Sequence, residues 1–340
     1  MRVLLIKTSS MGDVIHTLPA LTDAGRAIPD IQFDWMVEES FTDIPPWHAN
    51  VARVIPVAWR RWRKNLFSRQ TYQEWKTWRQ QLRAQQYDLI LDAQGLIKSA
   101  LLSLFARGPR AGLDVASARE TCAAWFYQQR YKVNFYQHAV VRMRQLFSHA
   151  LHYPLPETPP DFGLDKSAFL MPAAIPATEK YLVFLHGTTW SSKQWPEAYW
   201  VQLAKKAALA GMRIKIGGGN AAEVARAERI AAQCDAVDVM PYLKIAEMAA
   251  VLAHAQAAIA VDTGFGHLAA ALGVPTITIY GATNPEYTST VGERAVNLAA
   301  HFPCSPCLKR NCTYTKPSVV VPACYETVPP EKVWECILSS

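Results

Sequence analysis

Short apolar runs alternate with longer amphipathic stretches along most of this 340-residue chain. Arg2–Lys7 contains the run Val3–Ile6 and reads as a strand. Val14–Ile28 repeats apolar residues at helical spacing, and Gln32–Val37 returns to a strand. Arg53–Ala58 is a short strand, Thr71–Gln86 a polar amphipathic helix, Asp88–Asp92 a buried strand and Leu96–Ala106 a helix. Apolar strands alternating with helices predict a parallel sheet covered by helices. Pro154, Pro156, Pro159 and Pro160, followed by Pro172 and Pro176, interrupt the pattern, which then restarts. Strands at Tyr181–His186, Met212–Ile216, Ala236–Met240, Ala257–Val261 and Thr276–Tyr280 alternate with helices at Pro196–Ala210, Ala221–Gln233, Ile245–Ala255 and Gly266–Leu272. The fold class is therefore α/β. Two Rossmann-like domains, 1–165 and 177–325, are expected to face each other across a cleft. The remaining residues, 326–340, contain a short helix at Pro330–Leu338, expected to pack back on the first domain.

Charge narrows the choice of partner. The chain carries +7, of which +5 falls in residues 1–165. Ile44–Gln73 has no acidic residue but holds Arg53, Arg60, Arg61, Arg63, Lys64 and Arg69. Such a patch attracts anions: nucleic acid, acidic lipid or acidic sugar. Aromatics interleave with the cations in Trp59-Arg60-Arg61-Trp62-Arg63-Lys64, which suits phosphates or a headgroup surface, or is simply a solvated helix face. No run approaches the roughly 18 apolar residues of a spanning helix. The first apolar run is too short for a leader, so a cytoplasmic location is expected.

Four loops carry candidate chemistry. Lys7-Thr8-Ser9-Ser10-Met11-Gly12-Asp13 follows the first strand. Its small residues leave backbone N–H groups free for an anion. Asp13 suits a general base taking a proton from an attacking hydroxyl, and equally an N-cap for the helix beginning at Val14. In His186-Gly187-Thr188-Thr189-Trp190-Ser191-Ser192-Lys193, hydroxyls precede a lysine that could hold phosphate. Gly217-x-Gly219-x-x-Ala222 fits a relaxed dinucleotide fingerprint with Asp238 on the next strand, or is a tight strand–helix turn in which Glu223 meets ribose hydroxyls. Asp262-Thr263-Gly264-Phe265-Gly266-His267 places two glycines at a helix start, where unpaired N–H groups and the helix dipole favour an anion.

Seven cysteines are present, and Cys304-x2-Cys307-x4-Cys312-x11-Cys324 clusters four of them. The odd count without a leader argues against a disulfide framework. The first pair has metal-ligand spacing, but reduced loop thiols are the default and no metal is assigned. Neither a Walker-type phosphate loop nor an Asp-x-Asp metal pair occurs, which favours chemistry without a divalent cation or other cofactor.

Lys7–Ala20, Arg60–Lys64, Asp92-Ala93-Gln94-Gly95-Leu96-Ile97-Lys98-Ser99 and Val261–Gly264 together resemble glycosyltransferase family 9, the heptosyltransferases. The match runs from residue 1 to about 290; the cysteine-rich end departs from the type I pattern. The resemblance implies a GT-B fold and transfer of L-glycero-D-manno-heptose from ADP-heptose to a Kdo sugar of Kdo2-lipid A. It places the catalytic base on Asp13. Donor contacts fall on Thr188, Thr189, Lys193, Glu223, Asp262, Thr263, Gly264 and His267, with Lys193 also stabilising the departing diphosphate. Acceptor contacts fall on Ser10, Arg60, Arg61, Arg63, Lys64, Lys98 and Arg119. The implied location is the inner face of the inner membrane, peripherally on an anionic surface, with no nucleic acid partner. Rival readings are transfer to the first heptose, an NAD-dependent oxidoreductase using Gly217–Ala222, and a nucleic-acid-binding protein.

Overall fold

The computed structural model describes residues 1–65, 67–173, 175 and 180–339. Two compact units, Met1–Leu164 and Asp165–Ser340, divide the chain. Their boundary falls within the proline-rich interruption. Pro176 and the expected domain start at 177 lie outside the described residues.

The first unit contains strands β1 (Arg2–Ile6), β2 (Gln32–Glu38), β3 (Val51–Val57), β4 (Leu89–Asp92), β5 (Arg110–Leu113) and β6 (Gln129–Tyr131). They form one parallel sheet in the order β3-β2-β1-β4-β5-β6. Its helices are α1 (Met11–Ile15), α2 (Leu18–Ala27), α3 (Trp59–Lys64), α4 (Arg69–Arg83), α5 (Ile97–Ser103) and α6 (Ala139–Leu151). Val3–Ile6 lie between β2 and β4 with no solvent exposure, which is why β1 is an unbroken apolar run. One face of the sheet packs Leu4, Ile6 and Met36 under Trp62 of α3 and Trp78 of α4. On α2 and α6, the buried pair Asp23–Arg144 closes at 2.6 Å.

The single helix expected over Val14–Ile28 is two. Pro19 has no N–H to offer and crowds the carbonyl four residues back, so α1 ends at Ile15. Thr17 bridges the junction, its hydroxyl donating to the Asp13 carbonyl at 2.8 Å. β5, β6 and α6 have no counterpart among the expected elements, and α3 takes the helical alternative offered for Trp59–Lys64.

The second unit repeats the plan. Strands β7 (Tyr181–Leu185), β8 (Arg213–Ile216), β9 (Val237–Val239), β10 (Ala257–Val261), β11 (Thr276–Tyr280) and β12 (Ala295–Ala299) are parallel in the order β12-β11-β10-β7-β8-β9. Helices α7 (Glu197–Leu209), α8 (Ala221–Ala231), α9 (Ile245–Ala253), α10 (Gly264–Ala271), α11 (Pro285–Thr288) and α12 (Pro330–Leu338) accompany them. In both sheets the unit's first strand sits between its second and fourth. That doubly wound order leaves a crevice beyond the carboxyl ends of the first and fourth strands, where such sheets bind ligands. α12 packs on α7 and β11 of its own unit, with Val333 buried and Lys206 paired to Glu331 at 3.2 Å. Among the described residues no helix is long and apolar enough to cross a membrane.

Candidate active site

In the first unit, the loop after β1 is stitched to the loop after β4. Gln94 Oε1 accepts from the Thr8 and Ser9 N–H groups at 2.9 and 3.1 Å. The Lys7 ammonium donates to the Ala93 carbonyl at 2.9 Å. Asp92 anchors the second loop, accepting from the Gln94 N–H at 2.8 Å and the Tyr127 hydroxyl at 2.6 Å. Burial pushes the Asp92 carboxyl upward, against these hydrogen bonds.

Asp13 stands at the third position of α1, half-buried. Its Oδ2 accepts from the Ser10 N–H at 2.7 Å and the Ser10 hydroxyl at 2.9 Å. The helix begins at Met11 with Ser10 as its N-cap, so Asp13 is not the N-cap expected before Val14; as the third helical residue it closes a capping box by accepting from the Ser10 N–H. Cations surround it. Burial lowers the Lys7 ammonium, with Asp13 acting in the opposite sense and Arg142 and Arg119 adding to the depression. Burial likewise lowers Arg142, again opposed by Asp13. Arg142 stacks on Phe135 at 4.6 Å and donates to the Ser117 carbonyl. Sequence reading placed Lys7 in the loop but not in the site, and missed Arg142 altogether, because α6 itself was not foreseen.

A second cationic group gathers at the end of α3. Arg60, Arg63 and Lys64 are exposed. Burial lowers the Lys98 ammonium, with Glu38 countering and Arg60 and Arg63 reinforcing the shift, so the four basic and acidic groups share one neighbourhood. Arg61 is differently placed: its guanidinium is held by Glu39 at 2.9 Å and Glu74 at 2.8 Å. Glu74 also accepts from the Trp62 indole at 2.8 Å, tying α3 to α4.

In the second unit the loops after β7 and β10 meet in the same manner. The Thr188 hydroxyl donates to the Asp262 carbonyl at 3.2 Å. Lys193 reaches the Asp262 carboxylate at 2.7 Å and lies 4.6 Å from the Trp190 ring centre. Thr283 donates to the same carboxylate oxygen at 2.6 Å, and His267 Nε2 stands 3.8 Å from the other. Burial alone would raise the Asp262 carboxyl, but His267 and Lys193 outweigh it and hold it well below the ordinary range. α10 begins at Gly264, earlier than expected, and no side chain caps its first turn. Its leading N–H groups thus open beside Lys193 and His267. A Cβ on Gly266 would lie 2.9 Å from that of Ala260, so glycine is what lets α10 sit against β10.

Glu223 belongs to the adjoining turn. It accepts from the Gly219 N–H at 2.8 Å and covers Gly187, where a Cβ would come within 2.7 Å of its carboxyl carbon. Thr189 is exposed next to Thr188. The dinucleotide fingerprint fails here: Asp238, which would have to take a ribose, is paired with Arg213 of the neighbouring strand. Gly217–Gly219 form the strand–helix turn instead, with the Asn220 side chain capping α8.

Comparison with known proteins bears on the family of the whole chain. The model of glycosyltransferase family 9 (heptosyltransferase) matches residues 75–317. Lipopolysaccharide heptosyltransferase 1 of Pseudomonas aeruginosa is 56% identical over 315 residues, 92% of this chain and 88% of its own length. The structure of E. coli heptosyltransferase WaaC with ADP has a TM-score of 0.84 at 47% identity, covering 88% of this chain and 94% of that one. The structure of the same enzyme with ADP-2-deoxy-2-fluoro heptose also scores 0.84, at 42% identity, covering 100% and 99%.

Proposed function

Because this chain belongs to glycosyltransferase family 9, the heptosyltransferases, and has the paired Rossmann-like sheets of the GT-B class, we propose that it moves L-glycero-D-manno-heptose from ADP-heptose to a Kdo residue of Kdo2-lipid A. Heptosyl transfer in lipopolysaccharide core synthesis follows from the family and its relatives. The donor, the acceptor and the stereochemistry are the proposal.

The observation that carries it is the second unit's crevice, where Lys193, His267 and an uncapped helix start converge beside Thr188. A lysine ammonium, an imidazole and helix N–H donors held together in this way suit a diphosphate that gains charge as it leaves. Asp262 orients Lys193 and His267. Thr188, Thr189, Thr263, Gly264 and Glu223 supply donor contacts around them. The protein's own cations do the work of charge neutralisation, so the proposed reaction uses no divalent metal.

On the first unit, Asp13 takes the proton from a Kdo hydroxyl as its oxygen attacks the anomeric carbon. The bond from that carbon to the diphosphate oxygen breaks, ADP departs, and the configuration inverts. Ser10 holds the base. Arg60, Arg63, Lys64, Lys98 and Arg119 offer cations to the acceptor's carboxylates and phosphates, while Arg61, already held by Glu39 and Glu74, is withdrawn from that set. The acceptor is a membrane lipid, so the protein docks peripherally on the inner face of the inner membrane.

The test is direct. Purified chain is given ADP-heptose and Kdo2-lipid A with and without EDTA, and ADP release is followed. Release that persists in EDTA, with an inverted heptosyl–Kdo linkage by NMR, supports the reading. No transfer to Kdo2-lipid A, with transfer to an acceptor already bearing one heptose, overturns it.

A further inference from the structure

α5 carries most of its large apolar residues on the outside. Its buried positions are Ser99, Ala100, Leu102 and Ser103. Both serines are satisfied locally: the Ser99 hydroxyl donates to the Leu96 carbonyl at 2.8 Å and the Ser103 hydroxyl to the Ala100 carbonyl at 2.6 Å. These small side chains let α5 lie close to the 3-10 turn Thr121–Phe126, where Ala100 clusters with Ala123 and Tyr127. Ile97, Leu101 and Leu104 point the other way, 39%, 38% and 42% exposed. Their spacing of four and then three residues sets them in one stripe. Trp125, on the adjoining turn, is 69% exposed. α6, by contrast, buries Val140, Met143, Leu146 and Phe147. Leucines outside and serines inside make an apolar surface that a partner covers.

Charge identifies the partner. Lys98 follows Ile97 and lies in the neighbourhood of Arg60 and Arg63. Arg107, beyond Leu104, is exposed. Phe105 packs edge-on to Trp75 of α4 at 5.6 Å, and the Arg79 guanidinium lies over the two rings at 5.9 and 5.4 Å. Two acids enter this cationic rim, and both are engaged: Glu120 Oε2 accepts from the Ile97 N–H at 2.7 Å, and Glu38 Oε1 from the Arg60 N–H at 3.1 Å. A second copy of the chain meeting this face about a two-fold axis would set the cations against their own copies. An anionic phospholipid bilayer brings no such conflict. Acyl chains take the stripe, headgroup phosphates take the rim, and an indole sits at the boundary between them.

We propose that α5, together with Trp125, is the part of the protein that enters the bilayer, with Ile97, Leu101, Leu104 and Trp125 dipping among the acyl chains of an anionic membrane. The inference rests on the reading above in which the acceptor is a membrane lipid, and adds a point of insertion to the cations of α3. Those cations attract the protein to the surface; the stripe holds it there, because two weak signals anchor where one does not. α5 follows directly on the loop that Gln94 stitches to Thr8 and Ser9. Insertion therefore brings the crevice of the first unit to the membrane surface.

Vesicle binding tests this without acceptor, so the readout is independent of the reaction. Full-length protein is mixed at physiological salt with vesicles of phosphatidylethanolamine and phosphatidylglycerol. The wild type should co-sediment, and brominated acyl chains should quench its tryptophan fluorescence. Trp125→Phe, a conservative change at an exposed position, should lose most of that quench. Leu101→Ser with Leu104→Ser should bind at least about tenfold more weakly, with melting temperature and ADP affinity at wild-type values. Undiminished binding by the leucine variant, or an undiminished quench in Trp125→Phe, overturns the proposal; if Arg63→Glu with Lys64→Glu still releases the protein, peripheral docking stands without it. A wild type that binds no vesicles overturns both. A dimer in sedimentation velocity that the leucine variant converts to monomer overturns the bilayer as occupant and gives the stripe to a second copy.

Discussion

At the scale of single residues, Asp13 has two duties that one substitution separates. Asp13→Asn keeps an oxygen for Ser10 and so preserves the cap, but cannot take a proton. Turnover should fall by at least about a thousandfold, within the range of losing a general base, while ADP affinity and melting temperature stay near wild type. Retained turnover in calorimetrically normal Asp13→Asn would remove the assignment. His48 offers a different test. Its Nδ1 accepts from the Asn50 N–H at 3.2 Å and its Nε2 faces the Thr22 hydroxyl at 2.9 Å, so the buried ring is satisfied while neutral. Burial lowers it from 6.5 to about 4, with Asp161 opposing. The unfolded chain binds that proton first, so stability is complete above about pH 6.5 and declines as pH falls towards 4, by on the order of 3 kcal/mol. His48→Gln should flatten that limb in melting curves recorded across the range. Neither His48 nor Lys7 stands out in the sequence, because what defines them is burial by distant segments. Asp13 and Asp262 do stand out, because a carboxylate among small residues at a strand end is a local pattern.

At the scale of elements, strands written as continuous apolar runs were legible, whereas β5, β6 and β12 were not. β1, β4, β7 and β10 announce themselves because both their faces are covered. β6, Gln129–Tyr131, has no apolar run and exists because β5 provides its partner. The break between α1 and α2 was readable from Pro19 alone. α3 is the instructive case: its six residues are mostly cationic, and it is held by Trp62 in the core and Glu74 on α4 rather than by its own propensity. α10 depends on a contact no local pattern reveals. Gly266→Ala should push that helix off Ala260, costing about 1 kcal/mol after the gain in helix propensity. ADP affinity should fall with it. Adding Ala260→Gly should restore both, measured by melting and by calorimetric titration; failure of the rescue would show that the clash is not the cause.

At the scale of the whole molecule, the uneven charge becomes a binding prediction. Exposed Arg60, Arg63 and Lys64 act on an anionic surface through water, and the screening length shrinks from about 8 Å at physiological salt to 3 Å at 1 M. Co-sedimentation with anionic vesicles should drop at least tenfold across that range, and Arg63→Glu with Lys64→Glu should abolish it while leaving ADP affinity alone. Salt-insensitive sedimentation would count against the patch. The tie between first-strand and fourth-strand loops occurs twice, by Gln94 to Thr8 and Ser9 in one unit and by Thr188 to Asp262 in the other. Each crevice is thus closed on its own core and inherits its shape from its own stretch of chain. Under the proposed division of donor and acceptor roles, diversification in acceptor choice should be recorded mainly in the first half of the gene.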